Sequence, residues 1–185
     1  MPSLDSQLAR RVSRAAMLAA AAVAFGYLFF AIPNVELVTA TVAVAGLLLG
    51  PGFGFAVGVV AYAVFGALNP LGSSMAIPSM WVAQMLGQGI NGLLFGLVRH
   101  PLNRSTGQLR IALFALMGLF VTLLYQVILS LSFYLFAPMA ETTLIGFLIG
   151  GILFSLTQIA INTLIFALVV PLAVSRLRKL PGFAE

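Results

Sequence analysis

The chain has 185 residues, of which 62% are hydrophobic and only 7% are charged, and it carries a formal net charge of +5. With a mean hydropathy of +1.14, it has too little polar surface for a soluble globular protein, so the composition predicts an integral membrane protein. Cysteine is absent, which excludes a disulfide scaffold and thiolate metal sites. The single histidine, His100, lies beside Arg99 in a basic loop, which excludes histidine metal clusters and an intramembrane Ser-His pair. No metal or resident cofactor is expected.

Apolar segments with no strand-like alternation follow one another along the chain and predict an all-α membrane protein with six transmembrane helices. One domain over residues 1–185 is expected, with spans at about 15–32, 37–50, 53–68, 79–98, 111–136 and 143–174. The second and third spans are short, whereas the sixth exceeds the bilayer thickness and must tilt, bend or protrude. A signal peptide is the alternative for the first span, but the apolar run is long and lacks a clear cleavage site.

All nine basic residues fall on one side of the predicted membrane. They form three triplets, Arg10, Arg11 and Arg14, then Arg99, Arg104 and Arg110, then Arg176, Arg178 and Lys179. Because basic loops stay in the cytoplasm, both termini and the segment 99–110 are predicted to be cytoplasmic. Triplets separated by apolar runs are typical of a topology signal, so no nucleic acid is expected as a partner.

A polar break between the first two spans contains Asn34 and Glu36. Glu36 and Glu141 are the two acidic residues on the predicted outer side, which has no lysine or arginine. A carboxylate beside a membrane span is a candidate for a functional site. The alternative is that Glu36 only begins the next helix, where a negative charge suits the helix dipole.

The fourth span has a polar face. Trp81, Gln84, Gln88 and Asn91 recur at intervals of three, four and three residues, which places them on one side of a helix. An amide facing lipid would be unpaired, so this face is predicted to point into the bundle or a cavity. At 1.5 Å per residue, Gln84 and Gln88 lie about 8 and 14 Å below the outer end. Interhelical hydrogen bonding is the alternative to a ligand pocket.

Two later spans also carry polar side chains. Gln126, Ser130 and Tyr134 follow at four-residue spacing on the fifth span and rise towards the outer side. Gln158 and Asn162 lie deep in the sixth span, where helix packing or contact with a partner is expected.

Small residues four positions apart allow helices to approach closely. On the first span they are Ala15 and Ala19, together with Ala16 and Ala20; the third and fourth spans have Gly54 with Gly58 and Gly92 with Gly96. Packing within the chain is one interpretation. Docking of a partner on the first helix is the other.

Together these features resemble the substrate-binding S-components of energy-coupling factor (ECF) transporters, over roughly residues 10 to 180. The resemblance rests on the chain's size, six spans with both ends inside, and the Ala-x-x-x-Ala steps. It also rests on Pro-Asn-Val-Glu-Leu at 33–37 before a short second span, and on Leu-Leu-Gly-Pro-Gly-Phe-Gly at 48–54.

The resemblance implies a high-affinity receptor in the cell membrane for a vitamin or related micronutrient. It also implies a transmembrane T-subunit and two ATPase subunits as partners. The places that enclose the ligand in that family hold Asn34, Glu36, Asn69, Trp81, Gln84, Gln88, Gln126 and Tyr134 here. The family's alanine motif for the T-subunit maps onto Ala15, Ala16, Ala19 and Ala20. The sequence has no phosphate-binding Gly-x-x-x-x-Gly-Lys loop, so ATP must act through another chain.

The expected pocket limits the cargo. Amides offer donors and acceptors, Trp81 and Tyr134 can stack on a planar ring, and Glu36 can bind a cationic group. Without arginine or lysine nearby, a multiply charged anion lacks a partner, so a neutral or cationic ring-containing nutrient is predicted. A small six-span structural module of the cell-shape type is the alternative. A membrane enzyme would need paired acids or histidines in the bilayer, and a passive channel would need a filter.

Overall fold

The computed structural model describes residues 4–32, 37–70, 72–136, 144–180 and 182–183, and for residues 144–154 the backbone alone. Within these ranges all regular structure is helical. The elements in chain order are α1 (Leu4–Phe29), α2 (Leu37–Leu49), α3 (Pro51–Ala67), a 3₁₀ turn (Ser74–Ala76), α4 (Pro78–Leu97), α5 (Arg99–Arg104), α6 (Gly107–Phe136) and α7 (Leu144–Leu177).

Three segments of the described chain are long and apolar enough to cross a membrane: Leu4–Phe29, Gly107–Phe136 and Ser155–Leu177. Helices α2 and α3 are apolar too, but have only 13 and 17 residues. Helix α4 is 20 residues long, and its amide side chains lower its hydropathy. The structure is thus the all-α membrane protein that the sequence predicts. The count of six spans and the cytoplasmic termini stay predictions.

The helices extend beyond the predicted spans at the basic segments. Helix α1 begins at Leu4, so its first turns include Arg10, Arg11 and Arg14, which lie before the predicted first span. The segment 99–110 contains the short helix α5 and the start of α6. Charged residues end a membrane span without ending a helix, because arginine is itself a good helix former.

Helix α2 is the central helix. It packs against α1, α3, α4 and α7, and all but two of its 13 residues are buried. A helix buried on every side must be apolar on every side, which explains why α2 has no polar face. Helix α6 packs on α4 and α7, and the rings of Phe95 and Phe166 stack at 5.2 Å between α4 and α7.

Helices α2, α3 and α4 meet backbone to backbone along a line of glycines, which we call the glycine seam: Gly46, Gly54, Gly58, Gly92 and Gly96. A Cβ atom at Gly92 would clash with the carbonyl oxygen of Gly54, and one at Gly58 would clash with that of Gln88. The glycine steps of the third and fourth spans therefore pack within the chain, which is one of the two interpretations left open by the sequence.

Arginine side chains join several elements at one end of the bundle, the arginine end. Arg11 Nη2 donates to the carbonyl oxygen of Leu49 at 2.8 Å, which satisfies a group at the C-terminus of α2. Arg110 Nη2 donates to the carbonyl oxygen of Pro171 at 3.0 Å. The basic triplets thus gather at a single end, as their grouping in the sequence predicts. We call the opposite end the far end.

Candidate functional site

The polar face of α4 points into the bundle, which confirms the predicted orientation. Trp81 Nε1 donates to the carbonyl oxygen of Ala63 on α3 at 3.2 Å. The fully buried Gln88 donates from Nε2 to Thr39 Oγ1 on α2 at 3.0 Å. Asn91 Nδ2 donates to the Thr39 carbonyl oxygen at 2.9 Å and to Gln88 Oε1 at 3.1 Å. Both ends of the Gln88 amide are therefore occupied by helix packing.

A second set of polar pairs joins α6 to α7. Gln126 Nε2 donates to Gln158 Oε1 at 2.6 Å, and Asn162 Nδ2 lies 3.4 Å from Thr122 Oγ1 one turn towards the arginine end. Gln158 and Asn162 thus take part in helix packing, which the sequence analysis gave as one of their two roles. Gln126, expected in the pocket, also has a partner on the neighbouring helix.

Closer to the far end, two buried polar atoms have no hydrogen-bond partner among the side chains that the structure describes. They are Oε1 of Gln84 on α4 and Oγ of Ser132 on α6. Gln84 lies beside Gly66 of α3, where a Cβ atom would be 3.3 Å from this oxygen and 3.0 Å from the Trp81 ring. A buried polar atom without a partner costs free energy, so it marks a place where another molecule can supply the hydrogen bond.

Two buried tyrosines lie on α3 and α6, the helices that pack on either side of α4. Tyr62 of α3 and Tyr125 of α6 are buried, and their ring centroids lie 6.0 Å apart in an edge-to-face arrangement. Tyr125 also packs on Gly87 of α4. Ser132 is seven residues beyond Tyr125, so both lie on the same face of α6. We call Tyr62, Trp81, Gln84, Tyr125 and Ser132 the far-end group.

Three members of the far-end group, Tyr62, Tyr125 and Ser132, were not among the predicted pocket residues, although Tyr125 directly precedes the predicted Gln126. Tyr62 belongs to a span that looks uniformly apolar, and only its contact with α6 identifies it. Ser132 was not predicted because the regular four-residue spacing of Gln126, Ser130 and Tyr134 indicates a neighbouring face of the helix. The seven-residue spacing from Tyr125 was the signal that could have found it.

The remaining predicted pocket residues lie apart from the far-end group or outside the described residues. Tyr134 is 40% exposed near the end of α6. Asn69 is half-buried just after α3, next to Leu68, whose carbonyl oxygen accepts from Tyr27 Oη at 3.0 Å. Asn34 and Glu36 fall outside the described ranges.

The alanines of α1 face two ways. Ala19 is buried and Ala15 half-buried, and both pack on the apolar core around α2. Ala16 and Ala20 are exposed. Of the two overlapping small-residue steps, one therefore serves this chain and the other forms an open surface. Among the described residues no cluster of three metal-ligating side chains occurs.

The fold and these contacts define a helical membrane protein with amide, hydroxyl and aromatic groups in its interior. The family model described as "ECF transporter, substrate-specific component" matches residues 10–170, and the chain belongs to this family. The resemblance seen in the sequence is thereby confirmed, and the protein is a substrate-specific subunit of ECF importers. No curated protein and no solved structure matches the chain.

Proposed function

We propose that this subunit binds a neutral or cationic, ring-containing nutrient such as a vitamin at the far end of the bundle. Six spans place it in the plasma membrane with both termini in the cytoplasm, and a T-subunit with two ATPase subunits drives import. The observation that carries the proposal is a pair of buried oxygens, Gln84 Oε1 and Ser132 Oγ, that have no hydrogen-bond partner among the described residues, together with the Trp81 ring that lies with Gln84 against Gly66.

The chemistry of the far-end group sets the class of cargo. Gln84 Oε1 accepts a hydrogen bond from a ring N–H or an amine, and Ser132 Oγ both donates and accepts. Trp81 and the tyrosines offer flat apolar surface for a ring. All nine lysines and arginines belong to the triplets of the opposite end, so a multiply charged anion would find no cationic partner here.

The other predicted pocket residues take different parts in this proposal. Gln88 and Gln126 are held by Thr39 and Gln158, so we assign them to the wall and floor rather than to direct contact with cargo. Asn34, Glu36, Asn69 and Tyr134 stay in the proposal as residues of the loops and helix ends that cover the ligand.

The T-subunit is proposed to dock on α1. Ala16 and Ala20 form an exposed small-residue step, which allows a partner helix to approach the main chain of α1. Ala15 and Ala19 face the core instead, so the proposed interface keeps only half of the predicted alanines.

Thermal unfolding of the detergent-purified protein in the presence of one vitamin at a time tests which class of compound it binds. A ligand present at 100 times its Kd stabilises by about 2.7 kcal/mol, which raises the melting midpoint by about 5 to 10 °C for a chain of this size. We expect this rise with at least one neutral or cationic ring compound and none with polyanions.

Two variants and a matched control locate the site. Gln84→Leu and Ser132→Ala are each expected to weaken binding about tenfold, the value of one hydrogen bond to a buried group. Val82→Ala changes a side chain that is 45% exposed on the same helix and is expected to bind normally. If no neutral or cationic ring compound shifts the midpoint, or if only polyanions do, the assigned class of cargo is wrong.

A further inference from the structure

A cavity of about 370 Å³ opens at the arginine end, between the last turn of α2, α5 and the segment after α7. Its polar wall is formed by Arg99, His100, Asn103, Arg104 and Arg178. Its apolar wall includes Leu47 and Phe183. The polar interior described above does not reach this cavity, so it is separate from the far-end group.

The cavity concentrates positive charge that no lining residue balances. Asp5, in the first turn of α1, is the one acidic side chain within the described ranges, and it does not line the cavity. Three guanidinium groups around one space repel one another, and an anion between them removes that repulsion. The cavity is thus built for a negative group.

Its geometry favours phosphate. Arginine presents a planar fork of N–H donors that matches phosphate oxygens. The three lining residues that carry a formal positive charge are all arginines. Arg99 is held at the turn between α2 and α3, where a Cβ atom at Gly50 would lie 2.9 Å from its Nη1 atom. Gly50 has φ +92°, a left-handed conformation suited to glycine, so the turn leaves room for that guanidinium.

The other walls point to a lipid as the source of the phosphate. Oδ1 of Asn103 is buried, has no hydrogen-bond partner among the described residues and can accept from a hydroxyl group. Leu48, a half-buried residue of the same cavity, provides apolar contact of the kind that a glycerol backbone and the start of an acyl chain need. We infer that this cavity binds the phosphate of an anionic phospholipid headgroup, such as phosphatidylglycerol, on the side of the membrane that carries the arginines.

Native mass spectrometry of the full chain, titrated with phosphatidylglycerol and with phosphatidylcholine of the same acyl chains, tests this inference. We expect one tight site for phosphatidylglycerol alone. Arg104→Gln and Arg178→Gln are each expected to weaken it about tenfold, and Arg178→Lys by less, since the charge remains while the fork is lost. Arg10→Gln and Lys179→Gln, exposed cations outside the cavity, should change the affinity less than about twofold.

Several results would overturn the inference. Equal losses of phosphatidylglycerol affinity in the cavity variants and the control variants would mean that the basic surface as a whole attracts the lipid. Displacement of the lipid by an equal concentration of inorganic phosphate would mean a small-anion site. Binding that appears only after removal of residues 184–185 would mean that the chain's own carboxylates fill the cavity. Melting midpoints of all variants confirm that each is folded, and the cargo assay is independent of every one of these outcomes.

Discussion

Gln88 shows how a buried amide is used in this bundle. Its Nε2 donates to Thr39 and its Oε1 accepts from Asn91, so it links α2 to α4 and both ends of its amide have a partner within the protein. Gln84, one turn away on the same face, has a buried oxygen with no such partner. Two glutamines with the same apparent role in the sequence therefore have different roles in the structure.

Replacing Gln88 with leucine should lower stability and leave cargo affinity unchanged. The change deletes the donor to Thr39 Oγ1 and one acceptor of Asn91, a loss of about 1 to 2 kcal/mol. The melting midpoint should fall by about 2 to 8 °C in a chain of this size. Gln108→Leu, at an exposed position near the start of α6, is the control and should melt like the wild type. A Gln88→Leu protein with a normal midpoint and no ligand response would place Gln88 in the binding site.

The sequence predicted the face on which these residues lie, because spacing along one helix fixes direction. It did not predict which amide is satisfied, since that depends on Thr39, 49 positions away in the chain. The same limit applies to Tyr62, whose importance comes from its contact with Tyr125.

At the scale of helices, the glycine seam determines how α2, α3 and α4 pack. Small residues at interfaces are how membrane helices gain close van der Waals contact, because lipid offers no hydrophobic driving force for association. In this chain Gly54 and Gly92 face each other directly, and each occupies the space that a Cβ atom of the other would need.

Gly92→Ala should therefore destabilise the bundle strongly. The added methyl group meets the Gly54 carbonyl oxygen and forces the helices apart, at a cost of about 1 to 3 kcal/mol. The expected readout is a lower melting midpoint or a loss of monodisperse protein in size-exclusion chromatography.

Gly52→Ala provides the matched control on α3. A Cβ atom there has nothing within 4 Å, and alanine favours a helix over glycine, so the midpoint should be unchanged or slightly higher. Equal behaviour of Gly52→Ala and Gly92→Ala would show that the seam contributes nothing.

Element positions were largely predictable and their pairing was not. The apolar runs predicted the ends of α2, α3 and α4 to within two residues. A proline lies at or shortly before the start of each of these helices, at Pro33, Pro51 and Pro78, and indicates where the helix begins. The start of α1 at Leu4 was missed, since polar residues mark the end of a span but do not stop a helix.

For the whole molecule, the distribution of charge is the main organising feature. The contacts of Arg11 with Leu49 and of Arg110 with Pro171 bring distant parts of the chain to one end. The positions of the basic residues along the sequence predicted this grouping, because that prediction does not depend on how the helices pack. The far-end group was only partly predictable, since it depends on three helices meeting in space.

Cysteine labelling tests the proposed orientation, and the natural absence of cysteine gives it a clean background. Ser73→Cys and Thr106→Cys lie at exposed positions on opposite sides of the predicted membrane. With a membrane-impermeant maleimide on intact cells, Ser73→Cys should be labelled, and Thr106→Cys only after permeabilisation. The reverse pattern would invert the topology, and labelling of both in intact cells would contradict the six-span arrangement.

The seam of glycines also limits how this subunit can move. Where main chains touch, no side chains are present to change rotamer, so α2, α3 and α4 form a stiff block. Helices α6 and α7 meet that block through interlocking side chains, such as the Phe95 and Phe166 rings, which can re-pack. If the proposed cargo leaves through the bundle, we therefore expect the α6 and α7 pair to move while the block keeps its shape.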